Sequence, residues 1–180
     1  MGLSERLMNS ASCGRCAASE AETKVDSNPG YYAIFMDMDS TCRLKPPFKE
    51  ILRTRGTDLL YVGIAEKTGL RDRLVGQDLR HRRPSTFFRS LGAVIGYCPP
   101  PAGLKGNNYK FSPEDTKKIV DWIDGVIRVH WVAESPAFLA EEKSAIRELC
   151  PLLNIRHNPK RIPELVELRK KCVAIARQAP

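Results

Sequence analysis

The sequence predicts a mixed α/β (α+β) fold in which a small three-stranded sheet is flanked by helices. Two observations predict it. Residues 31–36, 59–65 and 127–134 are short runs rich in aromatic and aliphatic residues, the composition of half-buried or buried strands. Between and after them, apolar residues recur three and four apart, the repeat of a helix that buries one face. At 180 residues the chain is long enough for one core, and residues 29–180 read as a single domain.

Residues 1–28 carry few apolar side chains and no clear period, and read as a flexible N-terminal arm. Pro29-Gly30 is turn chemistry, and the first strand follows it. Residues 37–57, with Pro46-Pro47 and Gly56, read as a loop or short insertion with a helical turn around residues 48–52. The second strand, Leu59-Leu60-Tyr61-Val62-Gly63-Ile64-Ala65, contains a glycine that lets the backbone turn or another group approach closely.

Leu70 and Leu74 then share a helix face that Arg71 and Arg73 flank on opposite sides; periodicity alone does not choose between the two arginines. Pro84-Ser85-Thr86 breaks the chain before a helix carrying Phe87, Phe88, Leu91, Val94 and Ile95. Residues 97–111 are a Pro/Gly/Asn-rich loop. Ser112-Pro113-Glu114-Asp115 starts the next helix: Ser112 as N-cap, Pro113 in the first turn, acids at the positive end of the dipole. Its stripe is Ile119, Trp122, Ile123 and Val126, and the third strand follows with alternating faces.

Ser135-Pro136 opens a helix in which Phe138, Leu139, Ala145, Ile146 and Leu149 cluster on one side. Glu142 falls in the middle of that stripe and Glu141 points away from it. A carboxylate in an apolar stripe needs a cation, a metal or hydrogen bonds. Pro151 ends this helix, and a final helix over residues 163–177 packs Leu165, Leu168, Cys172 and Ile175.

Lys and Arg outnumber Asp and Glu by 29 to 21, a formal charge of +8 that favours an anionic partner. The excess is concentrated in residues 71–89 and 156–171. No stretch approaches the roughly 20 apolar residues of a membrane span and no signal-peptide pattern is present, so a cytoplasmic protein is expected. Cys13 and Cys16 form a lone CxxC whose nearest further cysteine, Cys42, lies beyond a strand; reduced, unconnected thiols are the expectation rather than structural zinc.

Taken together, Gly30-Tyr31-Tyr32, Tyr61-Val62-Gly63, Leu70-Arg71-Asp72-Arg73, Glu142 and Pro151-Leu152-Leu153-Asn154 resemble, in order and in element type, the motifs of the GIY-YIG nuclease superfamily. The resemblance favours Arg73 over Arg71, and it again selects Glu142, nine residues before the Pro. Tyr31 replaces the usual Ile, and the first two motifs stand further apart than usual, which marks an insertion. Several members place a His or Tyr four residues after the Arg; this chain has Gln77 there, with Asp78 and His81 nearby.

The resemblance implies an antiparallel sheet and hydrolysis of DNA phosphodiester bonds with one divalent metal ion, Mg²⁺ or Mn²⁺. Glu142 is then the metal ligand, suited to an ion that takes few carboxylates and keeps most of its waters. Arg73 would hold the scissile phosphate, Tyr32 or Tyr61 would orient or deprotonate the attacking water, and Asn154 would steady the site. The basic residues Arg71, Arg80, His81, Arg82, Arg83 and Arg89 are the expected nucleic-acid contacts. A homodimer would supply the second site that cutting both strands of a duplex requires. The rival reading, prompted by Gln77, is an inactive nucleic-acid-binding module on the same fold.

Overall fold

A computed structural model describes residues 2–9, 14–37, 44–105, 108–134 and 138–179. In chain order the elements are α1 (Leu3–Met8), β1 (Cys16–Ala17), α2 (Ala21–Lys24), β2 (Gly30–Met36), α3 (Pro46–Arg55) and β3 (Leu59–Ala65). A π-helix (Arg71–Leu79) follows, then α4 (Thr86–Val94) and a short hairpin of β4 (Leu104–Lys105) and β5 (Asn108–Tyr109). The chain ends with α5 (Pro113–Val126), β6 (Ile127–Ala133), α6 (Phe138–Leu149) and α7 (Pro163–Arg177).

The main sheet has the order β1-β6-β2-β3 and every pairing in it is antiparallel. The three predicted strands form its body. The fourth, β1, comes from the segment expected to be a flexible arm, so the sheet has four strands rather than three. Described residues of that segment contact the rest of the chain: Leu7 of α1 is fully buried against the Tyr31, Ala33 and Phe35 face, Ser4 donates to Glu148, and Arg6 pairs with Glu134. Burying one leucine contributes roughly 2 kcal/mol, enough to hold a short helix onto an existing apolar face. The segment's few apolar residues are spaced for that face, which a composition average does not register.

Residues 46–55, expected to hold at most one helical turn, form the ten-residue α3. Two prolines occupy its first turn, where no backbone donor is needed, and Gly56 ends it at φ 59°. Helix α5 begins as expected: the Ser112 side chain accepts from the Asp115 N–H, and Ile119, Trp122, Ile123 and Val126 are buried. Cys13 and Cys42 lie outside the described residues; Cys16, Cys98, Cys150 and Cys172 are free thiols. Among the described residues no helix is long and apolar enough to cross a membrane.

The core lies on both faces of β2. Tyr32, Ile34 and Met36 face the π-helix, α4 and α5, while Tyr31, Ala33 and Phe35 face α1 and α6. Strand β3 forms the edge of the sheet, and its outer rim is covered by the chain after α6. Leu152 N–H donates to Leu59 O, and Leu153 N–H to Leu60 O. The Asn154 side chain then completes the edge, accepting from Val62 N–H and donating to Val62 O, both at 2.9 Å. One amide side chain thus imitates a strand residue and satisfies two buried backbone groups that an open edge would leave unpaired.

Replacing Asn154 by Leu leaves the Val62 N–H and C=O without partners at nearly constant volume, and the expected loss of stability is on the order of 2–4 kcal/mol. Chemical denaturation of the variant measures it; an unchanged midpoint would show that another group has taken over the edge.

Candidate active site

Tyr32 and Gly63 are direct partners across β2 and β3, and Tyr61 lies two residues before Gly63 on the same face. The Tyr32 ring crosses β3 over Gly63, where an added Cβ would sit 2.4 Å from the ring and from its hydroxyl. Glycine in the Tyr-x-Gly motif is therefore required by space: only a residue without a side chain lets the two phenols stand side by side, with ring centroids 6.5 Å apart. Tyr32 is sealed in the core, and Tyr61 reaches the surface with 8% of its area. Burial raises both hydroxyls well above their usual range; the negative charge of Asp78 adds to the shift and Arg73 opposes it. Both are neutral phenols at neutral pH.

The hydroxyl of Tyr32 donates to Asp78 Oδ2 at 2.5 Å. Asp78 is completely buried, and its other oxygen accepts from Arg73 Nη1 at 2.6 Å and from Ser85 Oγ at 2.5 Å. The π-helix makes this possible. In an α-helix, residues five apart point in different directions, whereas i→i+5 hydrogen bonding stacks Arg73 and Asp78 on one side. The element closes with Arg80 N–H on Val75 O, five residues back. Ser85 serves twice: as N-cap of α4 its oxygen accepts from Phe88 N–H at 2.9 Å, while its hydroxyl proton goes to Asp78.

Across the rim of β3, Tyr61, Glu142, Lys143, Ile146, Asn154 and Arg89 are among the residues that line a cleft of about 540 Å³. Glu142 lines this cleft, and Glu141 accepts from the Tyr31 hydroxyl at 2.8 Å, on the sheet face against which Ala145 and Ile146 of α6 also pack. Burial raises the Glu142 carboxyl above the usual range, with Arg73 and Lys143 offsetting part of the effect. Among the described residues there is no group of three or more His, Cys, Asp or Glu side chains that could cage a metal. One carboxylate facing a roomy cleft fits a hard divalent cation that retains most of its water. Of the five predicted catalytic residues, Tyr61, Glu142 and Asn154 line the cleft itself, and Arg73 and Tyr32 stand behind Tyr61 in the Asp78 network. Asn154 acts through Val62.

The basic residues predicted to touch nucleic acid behave differently. Arg71 donates to Glu22 O, Arg80 pairs with Asp124, Arg82 with Glu22 and Arg83 with Asp72. His81 stacks on Phe88 with ring centroids 4.2 Å apart, and burial, helped by Arg89 and Lys110, pushes it down to about 4, so it is neutral at physiological pH. Arg89 alone of this set lines the cleft, 7% exposed, with Nε donating to Ser85 O at 3.1 Å. The cleft's other cations are Lys143, Arg156 and Arg169. Arg156 and Arg169 belong to the second basic stretch of the sequence, a signal visible as composition.

A family model described as the GIY-YIG catalytic domain matches residues 30–171. The matched stretch runs from the first residue of β2 into α7 and contains every residue of the cleft and of the Asp78 network. The chain belongs to the GIY-YIG nuclease superfamily. Comparison with curated proteins and with solved structures gave no match.

Asp78→Ala removes the acceptor of three buried or half-buried donors, and the expected destabilisation is roughly 2–4 kcal/mol, tempered by the partial exposure of Arg73. Asp78→Asn keeps the volume and one acceptor oxygen and should lose less. Thermal unfolding of the two variants gives the order; equal stability of wild type and Asp78→Ala would remove Asp78 as the hub.

Proposed function

We propose that the chain is a metal-dependent endonuclease that hydrolyses DNA phosphodiester bonds at the cleft between Tyr61 and Glu142. The observation that carries this reading is the cleft itself: a single half-buried carboxylate, a neutral phenol and several cations converge beside the covered rim of β3. Family membership supports phosphodiester hydrolysis as the reaction.

Glu142 would hold one divalent ion, Mg²⁺ or Mn²⁺, whose chemistry when bound is Lewis-acid stabilisation of the phosphate and its leaving oxygen. The remaining work falls to the chain's own groups. Arg73 stays cationic, is fixed in direction by Asp78, and would offset negative charge developing on the phosphate. The Tyr61 hydroxyl, held neutral by burial, would orient the attacking water by hydrogen bonding; a phenolate base is disfavoured at both tyrosines. Tyr32 would keep Asp78, and through it Arg73, in place. Asp78, one residue past Gln77, makes the contact with Arg73 and Tyr32, which favours the catalytic reading over an inactive binding module.

Glu142 supplies a test with two readouts. Because its folded-state value is raised, it contributes stability below the unfolded value of about 4.3, and that contribution is lost as pH rises through the folded value. Ionised Glu142 is therefore a net cost in the metal-free protein at neutral pH. Glu142→Gln should cut duplex DNA with Mg²⁺ at least about a hundredfold more slowly than wild type while melting at or above the wild-type temperature at pH 7 in chelator. Cleavage at the wild-type rate would sink the mechanism, and a clear drop in melting temperature would show that the carboxylate is a structural ion-pair partner.

A further inference from the structure

The cleft does not end at Glu142. A second cavity of about 640 Å³ adjoins it, sharing Ile155, Arg156 and His157 in its lining and adding Arg147 and Arg161. Glu142 is the single carboxylate among the residues lining either cavity. Among the described residues, Lys143, Arg147, Arg156, Arg161 and Arg169 form no ion pair, whereas Arg80, Arg82 and Arg83 each do. The two basic stretches of the sequence thus have different fates. Among the described residues, Arg73, Arg80, Arg82 and Arg83 of the first pair with the chain's own acids while Arg71 and Arg89 do not; of the second, Arg156, Arg161 and Arg169 form no ion pair and Lys170 pairs with Glu167.

The loop that carries the unpaired cations is built, not slack. Asn158, 5% exposed, donates to Pro151 O at 2.7 Å and Asn154 O at 2.9 Å and accepts from Lys160 N–H at 2.9 Å. Arg55 reaches from α3 to Cys150 O at 3.0 Å and Lys160 O at 2.6 Å. With Asn154 locked to Val62, the two ends and the middle of the loop are fixed. His157, at the exposed crest, is held at φ +62°, a left-handed conformation that a residue other than glycine adopts at a cost. On α7, Arg169 is anchored through Nη1 to Ser90 Oγ at 2.7 Å, while its Nε is buried without a partner. Unpaired guanidinium groups on a rigid frame are the arrangement that binds phosphate with little ordering cost.

We propose that the DNA backbone runs from the Tyr61–Glu142 cleft along the face formed by Lys143, Arg147, Arg156, Arg161 and Arg169, and that Arg80, Arg82 and Arg83 do not contact it. This rests on the nuclease reading for the identity of the anion. The track is continuous with the site, so a phosphodiester bound along it passes Glu142 and Tyr61. Because Arg156 and Arg161 are exposed and their side chains hold no other element, they can be reversed in charge without dismantling the loop.

The test compares two double variants, Arg156→Glu with Arg161→Glu and Arg82→Glu with Arg83→Glu, in metal-free binding of a labelled duplex across a salt series. Melting curves verify that both are folded. The first pair should weaken binding at least about tenfold and flatten the dependence of log Kd on log salt by roughly 2, about 0.9 for each phosphate that the chain no longer neutralises. The second should stay within about twofold of wild type. The reverse pattern, or equal losses, would overturn the track. Cleavage by wild type with Mg²⁺ is scored separately on the same duplex. Cleavage with unaltered binding by the Arg156/Arg161 variant overturns the track alone, and selective loss of binding without wild-type cleavage supports the track and overturns the nuclease reading.

Discussion

A fully buried carboxylate is the constraint around which the site is arranged. Asp78 has no access to solvent, and a buried carboxylate is costly unless hydrogen bonds and a cation compensate it. Three donors from three different elements meet it: Tyr32 from β2, Arg73 from the π-helix and Ser85 from the cap of α4. Each is thereby fixed in position by the same requirement. The π-helix is the cost of this arrangement, since its geometry is rarely adopted, and it survives here because i→i+5 stacking is what brings Arg73 to Asp78.

The family motifs of β3 are mostly solutions to packing. Gly63 makes room for the Tyr32 ring, and Asn154 finishes the hydrogen bonding of an edge strand. Neither faces a substrate with a reactive group. Their effect on chemistry is indirect: they hold β3 paired and covered up to Tyr61, so that its rim, between the helices of the two faces, becomes the place where a cleft can open. Scaffold and site are therefore the same residues seen from two sides of one strand.

Much of this is legible in the sequence. The three main strands, the cap and stripe of α5, and the inward turn of Glu142 follow from periods of 2 and 3.6 and from local capping chemistry, which act over a few residues. What stays hidden depends on longer range or on rarer geometry. The docking of α1 and β1 turns on a handful of contacts with β6 and Phe35 that a low apolar content conceals. Asp78 is one of three neighbours for the accessory position, and a 3.6-residue period cannot select it because the helix there does not have that period. The destination of the arginines is the least legible of all, since pairing with Glu22, Asp72 or Asp124 is decided by tertiary approach and leaves no trace in the spacing.

The resulting distribution of charge is left unbalanced by the shape of the fold: one carboxylate that burial disfavours sits beside cations that lack counterions. In the free protein neither set relieves the other fully, because Glu142 is held away from ion-pair contact with Arg73, whose nearest partner is Asp78. A divalent cation favours the ionised carboxylate, and a phosphate backbone favours the unpaired guanidinium groups; together they bring opposite charges to both sets at once. Under the nuclease reading proposed above, a divalent cation and a phosphate backbone arriving in adjoining places would lower this strain together.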